Sequence, residues 1–215
     1  MASSPEGVPG KIIVDSVHGD VHLYDHEWRI LDTVAFQRLR GIKQLQMGQV
    51  TYPNATHTRF AHSLGTLAIM SRIVDLLPSK GSKKLVKRKR ENLRMAALLH
   101  DIGHYPYSHL MEKIDSVMLT EEAVKEDGTR SLDAARSQYP DHEKVGHAIV
   151  TSHKELIGAI GGTTRARQIA DLFTRSKAAD PQLSKLLHSS LDMDRLDYLQ
   201  RDSRAAGVPY GTIDI

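Results

Sequence analysis

The chain contains no cysteine, which excludes disulfides, thiolate zinc sites and thiol nucleophiles together. It has no apolar run of about 18 residues, so no membrane-spanning helix is expected. The start, Met1-Ala2-Ser3-Ser4-Pro5-Glu6-Gly7, lacks the charged-then-apolar pattern of a signal peptide, and residues 1–10 read as a short disordered leader. These absences agree with an intracellular, cytoplasmic chain, or a nuclear one if the source is eukaryotic. There is no Gly-x-x-x-x-Gly-Lys phosphate loop and no internal repeat. Charge of one sign is also scarce. The formal net charge is +3 with histidine neutral, short of the excess of an obligate nucleic-acid binder.

What is present is an ordinary globular composition, 40% hydrophobic and 26% charged, in 215 residues, enough for one domain with a core over residues 11–215. Residues 11–14 and 21–23 read as a hairpin around the turn 15–20. The rest is helical, with helices expected at 27–31, 33–45 (N-capped by Asp32), 59–77, 84–101, 142–152, 164–175 and 181–202. Gly103 is expected to stop the fourth, and 115–140 reads as an irregular excursion. The fold class is mostly α with a small N-terminal β-hairpin. The end, Gly211-Thr212-Ile213-Asp214-Ile215, has no helix cap or polar tail and fits either a natural terminus or a cut.

Chemistry is best sought among the twelve histidines. His62, the pair His100-Asp101, and Asp194 occur in that order. Imidazole and carboxylate are donors that suit a catalytic divalent metal with open positions. Adjacent helical side chains diverge by about 100°, so His100 and Asp101 can share a metal only where the backbone turns at a helix end. Arg59, three residues before His62, is a permanent planar donor suited to phosphate. His104, His109, His142 and Glu143 are candidates for acid–base work. Asp194, Tyr198 and Arg201 or Asp202 fall along one stripe of the last helix, an odd set for a core or a plain solvent face. The run Lys83 to Arg90 is the strongest basic patch; without interleaved aromatics it reads as a solvated face rather than a nucleic-acid site.

Taken together, Asp15-Ser16-Val17-His18-Gly19, Phe36-Gln37-Arg38-Leu39-Arg40-Gly41-Ile42-Lys43-Gln44-Leu45, His57-Thr58-Arg59-Phe60-Ala61-His62-Ser63-Leu64-Gly65, Ala96 to His109, His142-Glu143 and Asp192 to Asp202 resemble the HD-domain superfamily of metal-dependent phosphohydrolases. The branch they most resemble is the deoxynucleoside triphosphate (dNTP) triphosphohydrolases. The resemblance implies an HD-domain helical bundle in which His62, His100, Asp101 and Asp194 hold one divalent ion: manganese, iron, zinc, magnesium, cobalt or nickel. It implies acid–base roles for His104 and Glu143, supported by His142. It implies phosphate and sugar contacts from Arg59, His109, Arg195, Tyr198 and Asp202, with Gln44 and Leu45 against the deoxyribose. A dNTP substrate and a homo-oligomer follow from the same resemblance. Ala61, where relatives often carry Glu, and Arg195, where animal enzymes carry Lys, depart from the family pattern. Two alternatives stand beside this reading: another HD phosphohydrolase acting on nucleotides or phosphodiesters, and a nucleotide- or nucleic-acid-binding HD module without turnover.

Overall fold

The computed structural model describes residues 10–76, 87–109, 111, 140–188 and 192–210. The leader and the irregular excursion lie almost wholly outside the described residues, as does the first half of the basic run. The chain opens with an antiparallel hairpin of β1 (Lys11–Asp15) and β2 (Gly19–Leu23), in register from Lys11↔Leu23 to Asp15↔Gly19. Asp15 Oδ1 accepts from the amides of Val17 and His18, both at 2.9 Å, and Gly19 takes φ +75° to close the turn.

Ten α-helices follow among the described residues: α1 (Asp25–Leu31), α2 (Val34–Gln37), α3 (Gly48–Thr51), α4 (Arg59–Leu76), α5 (Lys87–Leu99), α6 (His142–Ser152), α7 (Lys154–Ile160), α8 (Thr163–Phe173), α9 (Pro181–Leu187) and α10 (Met193–Ala206). The mostly α architecture with its hairpin is as expected from the sequence. Among the described residues, no helix is long and apolar enough to cross a membrane.

Helix α4 is the axis of the molecule. It packs against α5 on one side and α10 on another, and β2 also lies against it. Residues 62–70 of α4 are all buried, while Arg72 and Asp75 in its last turns reach solvent. Helices α6 and α8 pack together and α8 lies on α5, forming a second layer. A buried, two-pronged ion pair ties α5 to α1: Arg94 Nε and Nη2 donate to Glu27 Oε1 and Oε2 at 2.6 and 2.8 Å.

Several boundaries differ from the sequence expectation. The helix expected over 33–45 ends at Gln37 and continues only as a 3₁₀ turn, Arg38–Gly41. Its cap is Thr33, whose Oγ1 accepts from Phe36 N, rather than Asp32. The following residues leave the helix because their backbone is used elsewhere. Gln44 N donates to His57 O at 3.1 Å and Arg59 N to Ile42 O at 2.8 Å, around a bridge between Lys43 and Thr58. The expected helix 181–202 is two helices, with α10 restarting behind Asp192, whose side chain caps Arg195 N. Helix α5 ends at Leu99 rather than Asp101. Helix α7 was not expected at all; it ends at Gly161 and Gly162, both at positive φ.

Candidate metal centre and adjoining pocket

Three elements bring the four candidate ligands together. His62 lies in the first turn of the buried helix α4. His100 and Asp101 follow α5 in a tight turn, held by Ile102 N→Leu99 O and His104 N→Asp101 O. Asp194 sits in the first turn of α10. His62 Nε2 is 3.0 Å from Asp194 Oδ1 and 3.5 Å from Asp101 Oδ2. His100 Nε2 is 3.4 Å from Asp101 Oδ1 and 3.8 Å from Asp194 Oδ1.

The other nitrogen of each ring decides its tautomer. His62 Nδ1 donates to Asp197 Oδ2 at 2.6 Å, and His100 Nδ1 donates to Ala97 O at 2.8 Å. Each neutral ring is then left with a lone pair on Nε2. Both Nε2 atoms are buried and neither has a hydrogen-bond partner. Orphaned polar nitrogens facing two carboxylates are expensive unless something binds between them. The donor set fits a divalent metal ion.

The charges tell the same story. Burial would lower the His62 pKa, but Asp194, Asp197 and Asp101 outweigh it and push the imidazole up to about 10. Burial likewise opposes a charge on His100, and the adjacent Asp101 and Asp194 raise it. Asp194 overcomes its own burial through the two imidazoles and is held well below the usual carboxylate range. The site favours positive charge at one point.

Beside these residues opens a pocket of about 430 Å³, lined by Gln44, Leu45, Gln46, Arg59, His109, Asp194, Tyr198 and Asp202. Every residue expected to bind substrate except Arg195 therefore meets one cavity that shares Asp194 with the candidate metal centre. Arg195 lies on the exposed side of the first turn of α10 and is not part of that lining. Arg59 is buried; Nη1 donates to Asp101 Oδ2 at 2.6 Å, while Nε and Nη2 donate to Ser108 Oγ. Ser108 takes φ +47°, an uncommon backbone state for a non-glycine residue. Asp202 is held by His57 Nε2 at 2.7 Å.

The acid–base candidates form an adjoining cluster. The rings of His104 and His142 stack at 3.9 Å between centroids, and His109 meets both edge-on at 5.0 and 5.1 Å. His104 Nε2 is 3.2 Å from Asp101 Oδ1, and its buried Nδ1 has no hydrogen-bond partner. Burial lowers the His104 pKa to about 4 despite Asp101, with Arg59 adding to the effect. Glu143 is half-buried in the first turn of α6.

Sequence reasoning missed the supports of this site: Asp197, His18, Asp15, Arg201, Ser108 and His57. The Asp197–Arg201 spacing of four on one helix was a readable signal for an ion pair. The reach of Asp197 to His62, 135 residues away, was not. Within the basic run, Lys89 pairs with Asp180 at 2.8 Å and Arg90 with Asp75.

An HD domain is matched over residues 59–202. The chain belongs to the HD-domain family. It is 34% identical over 208 residues to the uncharacterized protein YwfO of Bacillus subtilis, covering 95% of this chain and 42% of that protein. It is 28% identical to the human deoxynucleoside triphosphate triphosphohydrolase SAMHD1, covering 92% of this chain and 34% of that protein. A crystal structure of a phosphohydrolase from Bacteroides thetaiotaomicron superposes with a TM-score of 0.74 at 32% identity, over 95% of this chain and 45% of the other. The chain thus spans less than half the length of each of these relatives.

Proposed function

We propose that the chain is a metal-dependent dNTP triphosphohydrolase, releasing deoxynucleoside and inorganic triphosphate. The observation that carries this reading is the pair of unpartnered nitrogens, His62 Nε2 and His100 Nε2, facing Asp101 and Asp194 at the edge of a polar pocket. In this reading His62, His100, Asp101 and Asp194 hold one divalent ion. The donor set alone does not select among manganese, iron, zinc, magnesium, cobalt and nickel. When bound, such an ion polarises a phosphoryl oxygen and lowers the pKa of water.

The chain's own groups do the rest. Arg59 and His109 hold phosphate oxygens, and Arg195 approaches them from the exposed edge of α10. Gln44 and Leu45 lie against the deoxyribose, where a 2′-hydroxyl would crowd them. Tyr198 and Asp202 take the sugar, with His57 fixing the Asp202 carboxylate. Water attacks the α-phosphorus, the bond from phosphorus to O5′ breaks, and O5′ leaves with a proton. His104, kept neutral by burial, takes and returns the proton at its free Nδ1. The stacked ring of His142 braces His104, and Glu143 completes the acid–base set. The choice of a dNTP as substrate is supported by the similarity to proteins named dNTP triphosphohydrolases, and assembly into a homo-oligomer is proposed with it.

The test is a product assay with each dNTP and each ribonucleoside triphosphate, with Mn²⁺ and then with EDTA. Deoxynucleoside plus triphosphate, formed only from dNTPs and abolished by EDTA, is the expected result. Stepwise phosphate release would move the chain to another branch of HD phosphohydrolases. Metal uptake without turnover would favour a nucleotide-binding module.

A further inference from the structure

Behind His62 lies a buried polar chain that the proposed reaction does not use. Asp197, fully buried on α10, accepts at one carboxylate oxygen from His62 Nδ1 at 2.6 Å and from Arg201 Nε at 2.9 Å. Its other oxygen accepts from His18 Nε2 at 2.7 Å and from Arg201 Nη2 at 2.8 Å. Arg201, also buried, donates through Nη1 and Nη2 to the two oxygens of Asp15 at 2.9 and 3.1 Å. Asp15 in turn holds the hairpin turn through the amides of Val17 and His18. The path therefore runs from the N-terminal hairpin, through α10, to a ring on α4.

The packing around this path leaves it little freedom. A Cβ on Gly65, one turn after His62, would fall 1.8 Å from Asp197 Oδ1 and 2.4 Å from Arg201 Nη2. The glycine is what lets the Asp197–Arg201 pair press against α4. An ionised carboxylate only accepts hydrogen bonds, so Asp197 requires the proton of His62 on Nδ1 and leaves the lone pair on Nε2. His18 and Arg201 stop that carboxylate from turning away.

We propose that Asp197 is a positioning residue that fixes the tautomer and orientation of His62, and that the hairpin turn, through His18 and Asp15, belongs to the support of the metal centre. The inference rests on the reading of His62, His100, Asp101 and Asp194 as metal ligands. Outer partners of ligating histidines typically govern metal affinity by about 10- to 100-fold.

The experiment measures Co²⁺ binding to the full chain and the visible absorption of bound Co²⁺, with thermal melts in EDTA as a folding control. The variants are Asp197→Ala, Asp197→Asn and His18→Ala. Asp197→Ala is expected to lose about 10- to 100-fold in affinity and to change the absorption band. Asp197→Asn, whose amide oxygen still accepts from Nδ1, is expected to recover part of both. His18→Ala removes one of two donors to the same oxygen and is the milder probe if the Asp197 variants fail to fold; a smaller loss of affinity is expected. Wild-type affinity and band shape in a folded Asp197→Ala or His18→Ala chain would overturn this inference alone. Absence of Co²⁺ uptake by the wild-type chain would overturn the metal reading, and this inference with it.

Discussion

His62 shows how a single side chain is given one task by its surroundings. One ring nitrogen is committed to Asp197, and the other is left facing Asp101 and Asp194. The facing carboxylates raise the affinity of that nitrogen for a proton, pushing the imidazole up to about 10. A metal ion has to displace that proton, so binding and deprotonation compete. Below a pKa of about 10, affinity should therefore rise with pH, by about tenfold per pH unit while one proton is displaced. Titrations with Co²⁺ between about pH 6.5 and 8.5 check this; an affinity flat across that range would contradict the protonation picture. At this scale the sequence singled out His62, His100, Asp101 and Asp194, and the structure brings these four side chains together. The sequence was uninformative about Asp197, whose local signature is that of a helix ion pair with Arg201 and whose second contact depends on α10 lying against α4.

Elements place these residues by where they stop. Helix α5 ends at Leu99, and the turn that follows lets His100 and Asp101 face one point despite being neighbours. From sequence, Gly103 looked like the helix stop. In the structure it serves a different need: a Cβ there would lie 2.0 Å from His142 O and 2.3 Å from Gly146 N. Backbone of α6 thus presses on the turn, and this brings His142 over His104. Gly103→Ala forces rigid backbone apart and is expected to destabilise the chain by about 1–3 kcal/mol or more. Chemical denaturation in EDTA measures this, and unchanged stability would contradict the close approach of α6. The long helices were readable where a buried stripe repeats, as in α8. They were misread where tertiary hydrogen bonds compete, as at Ile42 and Gln44, which pair with the start of α4 instead of extending the helix.

At the scale of the whole molecule, the candidate centre and pocket draw on segments far apart in sequence. Gln44 to Gln46, the start of α4, the turn after α5, and α10 must all be docked before the pocket exists. The helical class and the hairpin were legible because binary patterning and turn chemistry are local. The meeting of seven expected residues on one cavity was not, since it depends on how α4, α5 and α10 cross. The chain also spans less than half the length of the relatives described above.

The proposed reaction is hydrolysis at the α-phosphorus next to a metal held by His62, His100, Asp101 and Asp194. The most direct measurement is mass analysis of the products after turnover of a dNTP with Mn²⁺ in ¹⁸O-labelled water. One solvent oxygen is expected in the inorganic triphosphate and none in the deoxynucleoside, with all turnover lost in Asp194→Ala. Solvent oxygen in orthophosphate or in a nucleoside monophosphate would contradict it.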